Sequence, residues 1–210
     1  GTELVLQLPG RLPGLYLIRR DAQGERSFFY WRGEAPARQL FELPATDEVA
    51  AALVGRDLLY LSGITLSLYG PAGRERLFTT LAAARARGAR VAFDTNFRPR
   101  GWPDRDEARA IYGRAFAHAD LVLASAEDLE LLFGSDRPAA LLEHAAGLEI
   151  VLKLAEPGCR ILAGGDDVLV PASPVADVVD TTAAGDSFAA AYLAARLGGA
   201  DAPPAPASAT

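Results

Sequence analysis

The sequence predicts an α/β fold in which helices cover both faces of a mostly parallel sheet, with a small β hairpin beside it. From residue 44 onward, short and continuously apolar segments alternate with helical segments, as expected for a parallel sheet that is buried on both faces. Half of the 210 residues are hydrophobic, which suits one globular domain, with or without a small appendage. Residues 11–33 differ, because two strand-like segments there flank a turn.

The first predicted element is that hairpin, formed by residues 15–18 and 27–31 around a turn at residues 21–24. An isolated two-stranded hairpin is marginal in water, so this aromatic-rich one needs a partner surface or a ligand. The alternative is that its aromatic side chains pack on the main domain. We therefore divide the chain into a β lid (11–33), an α/β core (1–10 and 34–200) and a poorly ordered tail rich in proline and alanine (201–210).

The core elements follow in order along the chain. Helices are predicted at residues 46–54, 71–87, 104–118, 126–133, 138–146 and 188–197. Strands are predicted at residues 58–61, 91–93, 121–123, 149–154 and 175–179, with an antiparallel hairpin at 159–163 and 168–170. Glycines at 88, 134 and 198 end three of the helices. Right-handed crossovers then bring the carboxyl ends of the parallel strands to one edge, where ligands bind.

Composition excludes several classes of function. No apolar run reaches the roughly 20 residues that span a bilayer, so no membrane partner is expected, and the first residues lack the features of a signal peptide. A net charge of −6 with interspersed signs argues against a nucleic-acid partner. The single cysteine, Cys159, rules out an internal disulfide and fits a reducing cytoplasm.

Residues 180–188, Asp-Thr-Thr-Ala-Ala-Gly-Asp-Ser-Phe, are the most informative segment. Small residues at 183–185 let main-chain N–H groups converge at the start of the following helix, where the helix dipole favours a phosphate. Asp186 could then take a proton from a hydroxyl while the N–H groups hold the phosphoryl group under attack. The alternative is that Asp186 or Ser187 only caps the helix, but a cap requires one such residue and not the whole run.

This segment resembles the signature of the ribokinase-like (PfkB) carbohydrate kinases, D-T-T-G-A-G-D-S/T-F. The alanine at 183 is similar to the 2-keto-3-deoxygluconate kinase branch. The resemblance implies a ribokinase-like three-layer α/β sandwich with a β lid, and ATP and Mg²⁺ as cofactors. It makes Asp186 the catalytic base and Ala183, Ala184 and Gly185 the backbone anion hole. Members of the family carry further sequence at both ends, so we expect the chain to be incomplete at both ends, and the activity of these 210 residues alone stays open.

Three strand ends lie at the same predicted edge. The D-x-N-x-R segment at 94–98 places Arg98 where the resemblance implies a clamp for the substrate's carboxylate, although a structural salt bridge would also explain an arginine there. Ser125 and Asp128 occupy the positions of the N-x-x-E motif of the wider family, so Asp128 could bind magnesium through water. The alternative is that Ser125 caps the following helix and that the acidic residues after it interact with the helix dipole in the first turn, which would explain the pair equally well. Lys153 and Gly158 occupy positions that, in members of the family, lie beside the bound nucleotide.

The resemblance extends to the hairpin and to the segment after the first core strand. It places Tyr16, Tyr30 and Arg32 of the lid, together with Ile64, around a sugar acid. We interpret the chain as an ATP-dependent kinase that phosphorylates the terminal hydroxyl of 2-keto-3-deoxygluconate. This interpretation also predicts a homo-oligomer formed through the lid. A neutral-sugar kinase of the fructokinase or ribokinase type and a non-catalytic truncated member of the family remain as alternatives.

Overall fold

The structure is a computed structural model, and it describes residues 4–21, 26–134, 147–154, 156–174 and 181–199. The predicted helix at 138–146, the predicted strand at 175–179, most of the hairpin turn and the predicted tail lie outside the described residues. Within the described residues, no helix has the length and apolar character needed to cross a membrane.

The predicted hairpin is present as a two-stranded sheet of its own. Strand β1 (Leu15–Arg20) and strand β2 (Arg26–Trp31) pair antiparallel, with Leu15 opposite Trp31 and Tyr16 opposite Tyr30. Because side chains alternate between the two faces of a strand, one face carries Tyr16 and Tyr30 and the other carries Leu15, Leu17, Phe29 and Trp31.

The second sheet has six strands in sequential order. They are β3 (Leu58–Ser62), β4 (Arg90–Asp94), β5 (Leu121–Ser125), β6 (Glu149–Lys153), β7 (Gly158–Ala163) and β8 (Asp166–Pro171). Strands β3 to β6 are parallel, whereas β7 and β8 are antiparallel to their neighbours. The predicted mostly parallel sheet is therefore confirmed, and the carboxyl ends of β3 to β6 share one edge.

Helices of the core connect these strands. Among the described residues, the α-helices are α1 (Thr46–Val54), α2 (Gly63–Leu68), α3 (Pro71–Ala86), α4 (Arg105–His118), α5 (Ala126–Phe133) and α6 (Ala184–Leu197), and short 3-10 helices span Pro36–Glu42 and Pro99–Gly101. Helix α5 has the predicted bounds because its N-cap, Ser125, accepts from the N–H of Asp128 and its C-cap, Gly134, is left-handed.

Two hydrophobic clusters lie on opposite faces of the six-stranded sheet. The larger contains Phe93, Val122 and Ile150, which pack against helices α3 to α5. The smaller contains Ala92, Leu123 and Val151, which pack against Ala189 of α6. The neighbouring residues Ala92 and Phe93 of β4 thus belong to different clusters, because successive side chains of a strand point to opposite faces of the sheet. The sheet therefore lies between helical layers, as predicted.

Two features of the fold differ from the sequence prediction. Helix α6 begins at Ala184 and not at Phe188, because residues 184–187 already form its first turn. Helix α2 was not predicted; it follows β3 directly and is held by a capping box in which Ser62 and Thr65 bond each other's main-chain N–H groups.

Candidate active site

Two cavities open at the edge where the parallel strands end. One, about 750 Å³, is lined by the ends of β4, β5 and β6, by β7 and β8, and by the start of α6; we call it the helix cavity. The other, about 1280 Å³, lies under β2 and is lined also by α2 and the segment 98–103; we call it the lid cavity. Arg98 lines both, so the two cavities adjoin at this side chain.

The start of α6 forms one wall of the helix cavity. Its N-cap, Ala183, has φ 58° and ψ 18°, a left-handed conformation that is unfavourable for a residue with a Cβ. The N–H of Ala184 donates to the carbonyl of Thr181 at 3.2 Å. Ala184 was predicted to contribute to the anion hole, but in this conformation its N–H is already used. Gly185 and Asp186 follow in the first turn and also line the cavity.

A largely buried ion pair lies close to the start of this helix. The Nζ of Lys153, at the end of β6, is 3.1 Å from Oδ2 of Asp94, at the end of β4. The hydroxyl of Tyr60 donates to the same Oδ2 at 3.4 Å. Burial raises the pKa of the Asp94 carboxyl, while Lys153 opposes that rise. The pKa of Tyr60 is raised by burial first and then by the negative charges of Asp94 and Asp186, so these groups share one electrostatic environment.

Asp128 is also buried, and two of its neighbours fix its orientation. Its Oδ2 accepts from the hydroxyl of Thr95 at 2.7 Å, and its main-chain N–H donates to Ser125 at 3.0 Å. Its Oδ1 lies 3.8 Å from Nη1 of Arg98. The structure therefore contains both alternatives raised for these residues, the serine cap at Ser125 and a salt bridge at Arg98, and places them at the cavity wall.

Asn96 lies between Asp94 and Arg98 in the chain and also lines the helix cavity. Its backbone is left-handed, with φ 29°. Its buried Oδ1 has no hydrogen-bond partner within the described residues. A buried amide oxygen without a partner is uncommon in folded proteins, which sets this residue apart from the others in the cavity wall.

Gly158 lines the same cavity, but packing alone accounts for the glycine. Its φ is 141°, and a Cβ at this position would lie 2.1 Å from the carbonyl oxygen of Val170 on β8. The close approach of β7 and β8 thus requires glycine. Its predicted role beside the nucleotide remains a prediction.

The lid cavity brings together four of the predicted substrate residues. Tyr30 and Arg32 from the lid, Ile64 from α2 and Arg98 from the loop after β4 all line it. The guanidinium of Arg32 lies 4.3 Å from the centre of the Tyr30 ring, which holds it near the cavity wall. Tyr16 is not part of the lining; its ring lies 6.3 Å from that of Tyr30, so it supports the lid residue from the neighbouring strand.

Sequence reasoning missed two arginines of the lid cavity. Arg38, in the first 3-10 helix, and Arg100, in the second, line it together with Arg32 and Arg98. No Asp or Glu is among the described lining residues, and neither Arg38 nor Arg100 forms an ion pair within the described chain. The spacing of Arg100, two residues after Arg98, was a usable signal. Nothing in the sequence pointed to Arg38.

Magnesium would have to use few protein ligands at this site. Among the described residues, no group of three or more His, Cys, Asp or Glu side chains could hold a metal ion. Oδ1 of Asp128, on the wall of the helix cavity, lies 3.8 Å from Nη1 of Arg98 and accepts no hydrogen bond from the described residues, whereas Oδ2 accepts from Thr95. This arrangement fits an ion held mainly by phosphate oxygens and water, which is the usual situation of Mg²⁺ beside a nucleotide.

Comparisons with known proteins show what this chain is similar to. The "2-dehydro-3-deoxygluconokinase" of Dickeya dadantii is 44% identical over 204 residues, which cover 94% of this chain and 66% of that protein. The "Fructokinase" of Vibrio alginolyticus is 29% identical over 197 residues, 92% of this chain and 61% of that protein. A PfkB protein from Polaromonas sp. JS666 superposes with a TM-score of 0.75 at 23% identity, covering 90% of this chain and 62% of that one.

The chain thus spans about two thirds of the length of these relatives. The sequence model of the "pfkB family carbohydrate kinase" matches residues 1–207, nearly the whole of it. The solved neighbours have the ribokinase-like arrangement of helices around a mostly parallel sheet, as the sequence predicted. The chain therefore belongs to the pfkB family of carbohydrate kinases.

Proposed function

We propose that this protein transfers the γ-phosphoryl group of ATP to the terminal hydroxyl of 2-keto-3-deoxygluconate. One observation supports this most directly: the lid cavity is lined by Arg32 and Arg98 without a described acidic residue, and it adjoins the cavity that contains Asp186. An anionic sugar is the ligand that such a cavity favours, because paired guanidinium groups suit a planar carboxylate. The relatives named 2-dehydro-3-deoxygluconokinase point to the same substrate.

The roles of the residues follow from their positions. Arg32 and Arg98 hold the carboxylate, while Tyr30, with Tyr16 behind it, and Ile64 cover the sugar in the lid cavity. The hydroxyl at the other end of the sugar then points toward Asp186 in the helix cavity, and the carboxylate of Asp186 accepts its proton as the oxygen attacks phosphorus. The main-chain N–H groups at 183–186 are the donors of the anion hole, with Gly185 and Asp186 better placed than Ala184.

ATP occupies the helix cavity in this proposal, with its phosphates directed at the start of α6. Lys153 and Gly158 border it on the side of β6 and β7. Asp128 is the residue that would hold Mg²⁺, through water. The ion supplies positive charge that neutralises the phosphate oxygens during transfer.

The lid also forms the contact between two copies of the chain in this proposal. One face of the lid carries four apolar side chains that are far from buried, Leu15 (61% exposed), Leu17 (52%), Phe29 (43%) and Trp31 (59%), of which Phe29 and Trp31 also line the lid cavity. An apolar face of this kind on a two-stranded sheet is unstable in water unless it is covered. A second copy of the same lid is the occupant that we expect, since it would bury the same residues on both partners. We place the reaction in the cytoplasm because Cys159 is an unpaired thiol.

The experiment that tests the proposed function is a comparison of sugars. The purified protein is supplied with ATP and Mg²⁺ and with 2-keto-3-deoxygluconate, fructose or ribose, and formation of ADP is followed. We expect the kcat/KM for the sugar acid to exceed that for fructose by about 10²–10⁴, since two charge-assisted hydrogen bonds each contribute about 1.5–3 kcal/mol. A preference for fructose or ribose would instead establish the neutral-sugar alternative, and no turnover of any sugar would favour the non-catalytic one.

A further inference from the structure

Lys153 is the only lysine in a sequence with 21 lysine and arginine residues in total. Its side chain is largely buried, with 19% of it exposed, and Asp94, its partner, is 3% exposed at the side chain. A buried ion pair is weak evidence of stabilisation, because removing two charges from water offsets most of their attraction. A lysine at this one buried position therefore suggests a chemical requirement for an ammonium group.

The direction of the ammonium group indicates that requirement. Nζ is 3.1 Å and 3.3 Å from the two oxygens of Asp94 on one side. The first turn of α6 is also close to this ammonium group, since a Cβ built on Gly185 would be 3.8 Å from the same Nζ. The ammonium group is thus close both to the Asp94 carboxylate and to the helix start at which the proposed function places the phosphates, and both Lys153 and Gly185 line the helix cavity.

Asp94 is itself held in place. Its side chain accepts from Lys153 and from the hydroxyl of Tyr60, which comes from β3 on the far side of β4. Strands β3, β4 and β6 therefore contribute one residue each to this cluster, at their carboxyl ends or, for Tyr60, in mid-strand. Because the Asp94 carboxylate is held by both neighbours, it can hold the ammonium group of Lys153 in the same position in every catalytic cycle.

We propose that Lys153 contacts the phosphoryl group while it is transferred, and that Asp94 is the positioning residue that holds Lys153 at the start of α6. This rests on the proposed function. In the transfer, the sugar oxygen forms a bond to the γ-phosphorus as the bond from that phosphorus to the bridging oxygen breaks. Asp186 takes the hydroxyl proton, and ADP leaves with the electron pair of the broken bond. Lys153 keeps its proton and neutralises charge on the oxygens of the group in transit.

A compact ammonium suits this role better than a guanidinium. Its three donors rotate about a flexible stem, so it can keep one bond to Asp94 and direct another to a moving phosphoryl oxygen. The planar fork of arginine would engage both oxygens of Asp94 and would extend further into the space beside Gly185. Lys153→Arg should therefore be a poor substitute although the charge is kept.

The test compares ATP and ADP binding with turnover in three proteins, the parent, Lys153→Met and Lys153→Arg. Calorimetry gives the Kd of ADP and of an ATP analogue with an imido group between the β- and γ-phosphorus atoms. We expect Lys153→Met to lower kcat about 10²–10³-fold, the usual loss for one donor to developing charge. It should weaken the analogue by severalfold and leave the Kd of ADP within about twofold, because ADP lacks the group that Lys153 contacts. Arg160→Met, which removes an exposed ion pair between Arg160 on β7 and Asp167 on β8, is the matched control and should change none of these values.

Asp94→Asn separates positioning from a merely structural role. We expect it to lower kcat while the Kd of ADP stays unchanged. If it fails to fold, the double variant Asp94→Asn with Lys153→Gln removes both charges and should still lose turnover. Equal weakening of ADP and of the analogue would overturn the proposal, as would parental kcat in the folded double variant. The binding comparison needs no sugar, so it stands even where the sugar comparison rejects 2-keto-3-deoxygluconate.

Discussion

Replacing Ala183 with glycine should stabilise this protein. Ala183 has φ 58° and ψ 18°, and an L-residue with a Cβ loses about 1–2 kcal/mol in this left-handed region. Glycine avoids that loss, but its freer unfolded chain costs about 0.5–1 kcal/mol more to order. The free energy of unfolding should therefore rise by about 0.5–1 kcal/mol. For a chain of this size that raises the Tm by roughly 1–4 °C.

The assay is thermal unfolding by circular dichroism, with Ala184→Gly as the matched control. Ala184 is the first residue of α6 and has ordinary helical geometry, so glycine there should lower the Tm by a similar amount. Substitution at two adjacent alanines is thus expected to have opposite effects. A decrease in Tm for both variants would refute the reasoning, since it would mean that the conformation of residue 183 carries no strain. Turnover should change little in Ala183→Gly, because the main chain keeps its course.

Three further predictions concern the site and the lid. Asp186→Asn should lower kcat by about 10²–10⁴ with little change in the KM for the sugar, and near-parental kcat in steady-state assays would remove Asp186 as the base. Arg98→Leu should lower kcat/KM for 2-keto-3-deoxygluconate by about 10–10² and leave kcat/KM for fructose nearly unchanged. Equal losses on both sugars would mean that Arg98, through its contact with Asp128, stabilises the fold or helps to bind ATP. Leu17→Glu, at an exposed apolar position of the lid, should convert a dimer to a monomer in sedimentation velocity at micromolar concentration, and a parent that is already monomeric would contradict the lid contact.

Most of the sheet could be predicted because its strands are short apolar runs. The helices between them could be predicted where capping residues mark their ends, as Ser125 and Gly134 do for α5. Helix α2 escaped prediction because it has only six residues and depends on the capping box at Ser62 and Thr65. The start of α6 was predicted four residues too late, at Phe188, because Ala184 and Gly185 resemble loop residues in the sequence. In the structure the helix begins at Ala184, directly after the left-handed Ala183.

The site was predictable only where its residues are close together in the sequence. The segment from Asp94 to Arg98 is such a case, because its carboxylate, amide and guanidinium groups follow one another in the chain. The pair of Asp94 and Lys153 does not, because 59 positions separate the two residues and only the order of the strands brings them together. The main-chain bond from Ala184 to Thr181 could not be foreseen either, since it depends on the exact course of the turn and not on side-chain type.

Arg98 gives the two cavities a thermodynamic connection. Its guanidinium lines both, and in this structure it lies 3.8 Å from Asp128. A sugar acid that draws Arg98 toward its carboxylate would leave the charge of Asp128 uncompensated on the side where we propose that the phosphates bind. Without divalent cations, the sugar acid and ATP should therefore weaken each other's binding, and by linkage the factor must be the same in both directions. One side chain would thus make the affinity for each substrate a function of the concentration of the other.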